Sequence, residues 1–275
     1  MIDHTLTESF EWRGRTVAWD RIGSGPAVVM CHGTPWSSAL WRAYAEAFAR
    51  DHTVYLWDMP GYGQSSMHPE HAVDLGTQAE LFADLLTYWE LPRPDVVVHD
   101  FGGAVSLRAH LLHGAQYASL ALVDVVALRP WGSPFFRLVA QHADTFASQP
   151  SAVHRGALEA YIESASAQGL TEDQRELLAA PWLTENGQPA FYRQIAQADE
   201  WFTAEVEERY GELDLPVLVV WGTEDTWIPV DRAHRLAATI PDAELEVIEG
   251  AGHLIQFDQP VRLAVTLQRW LSARR

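Results

Sequence analysis

The chain has 275 residues, of which 19 are basic and 37 acidic, for a formal charge of −18. All the basic residues are arginine, which excludes Schiff-base chemistry, pyridoxal-phosphate anchoring and the phosphate-binding lysine of a P-loop. The negative charge opposes nucleic-acid and anionic membrane partners, and the single cysteine, Cys31, excludes an internal disulfide or a multi-cysteine zinc site.

The first fifteen residues are polar, and no stretch approaches the roughly 20 apolar residues of a membrane span, so a cytoplasmic location is expected. Short apolar runs then recur at 27–31, 53–57, 95–99, 120–125, 216–221 and 244–248. They lack strict polar alternation, as strands buried on both faces of a parallel sheet do. Helical-period segments at 38–50, 76–89, 102–114 and 231–238 lie between several of them, and the alternation predicts a doubly wound, mostly parallel α/β sheet. From 128 to 204 the strand-like runs stop, and helical patterns at 135–147, 151–167, 171–179 and 188–198 take their place. The expected organisation is a core of 1–127 and 205–275 with a helical insertion at 128–204.

Chemistry concentrates at strand ends. The segment Val96-Val-Val-His-Asp100-Phe-Gly-Gly103 has the layout of a nucleophile elbow, a strand-to-helix turn that presents one side chain above the sheet. Its tip is Asp100, and the N–H of Phe101 is a first oxyanion donor. His32-Gly-Thr-Pro35 follows the strand that ends at Cys31, and the N–H of Thr34 suits a second donor. Downstream, Asp225 lies just past an apolar strand and His253 in a glycine-rich loop after the next one. The order nucleophile, acid, histidine is that of α/β-hydrolases. His110 and His113 stand one helical turn apart without a third ligand, so no metal site is expected.

On these motifs the chain resembles the α/β-hydrolase superfamily over essentially its whole length. Within it, His99-Asp-Phe-Gly-Gly103, His32-Gly-Thr-Pro35 and the turn from Asp58 to Ser65 resemble the Asp-nucleophile branch, the epoxide hydrolases and haloalkane dehalogenases. The resemblance implies a cofactor-independent hydrolase. Asp100 would form an alkyl-enzyme ester, and a water activated by His253 would hydrolyse it. The insertion would be a helical cap. Asp225 is the first candidate for orienting His253, and Asp124, at the end of the 120–125 strand, is the alternative.

The leaving group is open at this stage. The positions that typically donate N–H groups to a halide are Phe101 and Thr34 here, which favours epoxide opening with Tyr192 as proton donor. His142 and, behind it, Tyr161 are the candidates for the first cap position, whereas Trp36 and its neighbours look more like a haloalkane dehalogenase. Haloalkane or haloacid dehalogenation and a non-catalytic small-molecule binder are the alternatives. The expected partners are a small apolar electrophile and water, with the protein a monomer or homodimer, and Trp227 is placed beside the site from its position just after Asp225.

Overall fold

The computed structural model describes residues 5–273. Eight strands form one sheet: β1 (Glu8–Trp12), β2 (Arg15–Gly23), β3 (Ala27–Cys31), β4 (Thr53–Trp57), β5 (Asp95–Asp100), β6 (Ser119–Val125), β7 (Val217–Gly222) and β8 (Glu244–Ile248). Their order is β1-β2-β4-β3-β5-β6-β7-β8, with β2 antiparallel to both of its neighbours, β1 and β4, and every pairing from β4 to β8 parallel. The helices are α1 (Arg42–Phe48), α2 (Leu75–Tyr88), α3 (Phe101–His113), α4 (Pro134–Gln141), α5 (Ala143–Ala147), α6 (Ser151–Glu163), α7 (Glu172–Ala179), α8 (Gly187–Ala196), α9 (Trp201–Glu207), α10 (Asp231–Thr239), α11 (Ile255–Asp258) and α12 (Pro260–Ser272).

The inner parallel strands are apolar because both of their faces are covered, whereas the edge strand β8 is only partly buried. In β3, Val29 and Cys31 enter one hydrophobic core while Val28 and Met30 enter the other, and β5 and β7 divide in the same way. The β1–β2 hairpin was not foreseen from the sequence. β1 is mostly exposed and β2 is buried only over Val17, Ala18 and Trp19, and the two strands turn at Arg13 and Gly14, with φ of 48° and 77°, as a two-residue hairpin turn requires.

Two features of this topology position the site. Strand order reverses between β3 and β5, so the loops leaving their C-terminal ends diverge and open a crevice there. Between β6 and β7 the chain inserts α4 to α9. The predicted 135–147 helix is two helices, broken at His142 (φ −135°, ψ 32°). The expected boundary at 204 falls within α9, which is tied to the core helix α3 through Arg108, 2.8 Å from Glu205 and donating to the Phe202 carbonyl at 2.6 Å. Among the described residues no helix is long and apolar enough to cross a membrane.

Candidate active site

Asp100 closes β5 with φ 50° and ψ −120°, a conformation that costs a non-glycine residue on the order of 1–3 kcal/mol. The turn is held from both sides. The Asp100 carbonyl accepts from the Val126 N–H at 3.0 Å, and the β5–β6 register shifts at His99/Asp100. α3 can start this close to β6 because Gly103 has no side chain: a Cβ there would lie 2.4 Å from Val125 Cβ. Although Asp100 immediately precedes α3, its carboxylate makes no cap hydrogen bond. A helix-cap role for this aspartate is therefore set aside.

The carboxylate instead faces the loop after β3. The Thr34 N–H donates to Asp100 Oδ1 at 2.6 Å. Gly33 makes the approach possible, since a Cβ on it would sit 2.3 Å from that same oxygen. His32 stiffens the loop: one ring nitrogen bonds the Gly33 carbonyl at 2.9 Å, and the other takes the Met59 N–H at 3.0 Å. This fixes a neutral tautomer with the proton on Nδ1, consistent with burial lowering the His32 pKa.

The other oxygen, Oδ2, lies 3.4 Å from His253 Nε2. His253 is fully buried, and its Nδ1 is 2.8 Å from Asp225 Oδ2. Asp225 Oδ1 in turn accepts the Trp227 and Ile228 N–H groups at 2.8 and 2.9 Å. Burial alone would push the imidazole pKa down. The Asp225 carboxylate, supported by hydrogen bonding and by Asp100, overrides it and raises the pKa to about 10. The ring is therefore an imidazolium between two carboxylates at neutral pH. Asp124, the alternative orienting acid, takes a different place. Its Oδ1 accepts from the Gly222 N–H at 2.8 Å, its Oδ2 has no partner, and burial followed by the Asp225 charge drives its pKa well up. Burial thus works against a charge on Asp124, and the carboxylate in contact with the His253 ring is that of Asp225.

Two further residues hold the histidine loop and were not singled out from sequence. His99 Nε2 donates to the His253 carbonyl at 2.9 Å, with the two rings 4.7 Å apart. Asp258 accepts the Gly252 and Ala167 N–H groups at 2.7 and 2.8 Å, so the chain leaving α6 is bolted to the histidine loop. No spacing rule marks the His99–His253 and Asp258–Ala167 contacts, because each joins residues distant in sequence.

Above Asp100 lies a cavity of about 20 Å³, lined by Thr34, Phe101, Trp131, Phe136, Tyr161 and Trp227 among others. Tyr161 stacks on Trp227 (4.2 Å), which stacks on His253 (5.0 Å). Burial, then the Asp100 carboxylate, raises the Tyr161 pKa, so its hydroxyl stays protonated. Tyr192, the first sequence candidate for proton donor, does not line this cavity. Its hydroxyl is spent on His154 Nδ1 at 2.8 Å. His142 is exposed at the α4–α5 break, and Trp36 is buried behind Trp227, 5.7 Å away. Sequence position alone does not say which way a side chain faces: Tyr192 is turned by its helix toward His154, His142 sits at a helix break, and Trp36 lies in the loop after β3.

The fold and the site together define an α/β-hydrolase. The family model for the alpha/beta hydrolase fold matches residues 26–260, and the chain belongs to that family. It is similar to an alpha/beta hydrolase fold protein from Burkholderia ambifaria, at 45% identity and TM-score 0.93 over 97% of this chain and 98% of that one. A 2-hydroxy-6-oxo-2,4-heptadienoate hydrolase from Pseudomonas putida is 27% identical over 86% of each chain. The haloalkane dehalogenase DatA from Agrobacterium tumefaciens shares the fold, at 21% identity and TM-score 0.82 over 98% and 96% of the two chains.

Proposed function

We propose that this hydrolase opens epoxides through a covalent ester on Asp100. The observation that carries the reading is the disposition of the Asp100 carboxylate, with Oδ1 on the Thr34 N–H at 2.6 Å and Oδ2 toward His253 and the cavity. A carboxylate is ionised at neutral pH and attacks carbon without a general base. Oδ2 attacks one epoxide carbon, the C–O bond breaks, and Tyr161 gives its proton to the departing oxygen. The imidazolium of His253 returns a proton to the phenolate by way of water in the opened site, since Trp227 stands between the two rings. Esterification has by then removed the Asp100 charge that helped hold that proton, so His253 becomes a base.

Neutral His253 then takes a proton from water, and the hydroxide adds to the Asp100 carbonyl. The Thr34 and Phe101 N–H groups stabilise the oxyanion on Oδ1. Collapse expels the diol oxygen, which takes its proton from His253. The new carboxylic acid ionises back to His253, and epoxide plus water has become diol. The helices of 128–204 form the cap. The cavity holds about one water, so an apolar epoxide enters only when the cap shifts.

Epoxide opening is favoured over halide release because the indole N–H groups lining the cavity are committed. Trp131 donates to Thr203 Oγ1 at 2.9 Å and Trp227 to Ser164 Oγ at 3.0 Å. Trp36 Nε1 has no partner and is the observation that favours dehalogenation, but Trp36 does not line the cavity. A binder would have no use for a paired His253 and Asp225.

A single turnover of an aryl epoxide in ¹⁸O-water tests the reading. The first diol should carry no label, and the peptide containing Asp100 should gain it. Label in the first-turnover diol would mean direct attack by water and would overturn the ester. Tyr161→Phe is expected to slow ester formation by about 10²-fold or more, within the usual range for a general acid, with ester breakdown unaffected. Rapid-quench measurement of the two steps checks this, and unchanged ester formation would remove Tyr161 as donor.

A further inference from the structure

We propose that Gln194, on the inserted helix α8, is a positioning residue for the Thr34 oxyanion donor, and that ester breakdown, not ester formation, depends on it. The inference rests on Asp100 being the nucleophile. The Thr34 hydroxyl donates to Gln194 Oε1 at 2.8 Å, and the Tyr62 hydroxyl donates to the same oxygen at 2.8 Å. All three residues are at least 97% buried. Burial keeps the Tyr62 hydroxyl protonated, so it remains a donor. The inserted helices grip the loop at a second point, where Trp182 Nε1 donates to the Pro35 carbonyl at 2.7 Å. From the core side His32 holds Gly33, and the Trp36 N–H closes a turn onto the Gly33 carbonyl at 3.0 Å.

Thr34 is therefore fixed at both ends: its backbone N–H points at Asp100 Oδ1 and its side chain is held by the insertion. Gln194 pays for this with an amide nitrogen that is buried without a partner. Such a group destabilises a fold, so packing alone does not account for a glutamine here.

The two chemical steps respond with opposite sign. Ester formation withdraws negative charge from Oδ1, so a firmly held Thr34 donor stabilises the starting carboxylate. Ester breakdown places a full negative charge on Oδ1, and there the same donor stabilises the transition state. Loosening the donor should slow the second step and leave the first unchanged or slightly faster. A general structural defect slows both.

The test is a Gln194→Leu variant, and beside it Thr34→Val, which keeps the backbone N–H and loses the hydroxyl, with styrene oxide as probe. Rapid quench and intact-mass analysis measure ester formation and breakdown separately. In either variant breakdown is expected to fall about 10- to 100-fold, below the 10²–10³ range for outright loss of an oxyanion donor, and the Asp100 ester should accumulate while His253 is intact. The double variant should be no slower than the worse single one. Unchanged breakdown, or equal slowing of both steps, overturns the proposal; if Gln194→Leu does not fold, Thr34→Val decides it alone. A readout independent of turnover separates this inference from the reading beneath it. The Thr34 amide proton, shifted downfield by its short bond to a carboxylate, should move upfield in ¹⁵N-labelled Gln194→Leu or Thr34→Val. If no ester forms on Asp100 the nucleophile reading fails, yet an amide signal that does not move still overturns the positioning role by itself.

Discussion

A His253→Gln enzyme is expected to alkylate Asp100 and stop. Incubated with an aryl epoxide, its intact mass should rise by one epoxide, and the adduct should map to the peptide bearing Asp100. Steady-state turnover should fall by about 10³–10⁴-fold, at the upper end for loss of a general base. The asymmetry between the steps follows from the charges. The attacking carboxylate needs no base, whereas water does. Gln suits the site because the ring lies in a fixed slot between Trp227 and His99, 5.0 and 4.7 Å away, and its amide can still donate to Asp225. Turnover at the parent rate, or an adduct on any residue other than Asp100, would remove His253 or Asp100 from the proposed roles.

Much of this architecture was legible in the residues. Strands buried on both faces read as unbroken apolar runs, and β3 to β8 follow those runs closely. The β1–β2 hairpin was missed because its strands are largely solvated and only Val17, Ala18 and Trp19 of β2 make a short buried apolar run. The Asp100 turn and the loops of Thr34, Asp225 and His253 could be located because each follows a strand end, where backbone direction is fixed by the sheet. What lay on the inserted helices could not. Tyr192 on α8 ranked above Tyr161 on α6 as a sequence signal; the fold reverses the order, turning Tyr161 toward Asp100 and committing Tyr192 to His154. Gln194 carried no signal, since its meaning depends on Thr34, 160 residues away.

The two aspartates near His253 also could not be separated by order along the chain, and their contrast yields the second large effect. His253 has a folded pKa of about 10 against 6.5 for an unperturbed histidine. Its proton therefore contributes stability that is fully present below pH 6.5 and is lost as pH rises through 10. Between those values the native state binds up to one proton more than the unfolded chain, and unfolding free energy should fall by up to about 1.4 kcal/mol per pH unit from this group. Asp225→Asn removes the leading cause that raises the pKa. Denaturant unfolding of that variant at pH 7, 8 and 9 should show a shallower decline than the parent, and turnover should drop by about 10²–10⁴-fold because the imidazole loses its orienting charge. Asp124→Asn is expected to do neither. Burial already works against a charge on its carboxyl, and an asparagine keeps the acceptor for the Gly222 N–H. If the loss of slope and of turnover followed Asp124→Asn instead, the charge that holds His253 would have to be reassigned from Asp225 to Asp124, against the 2.8 Å contact between Asp225 and the ring.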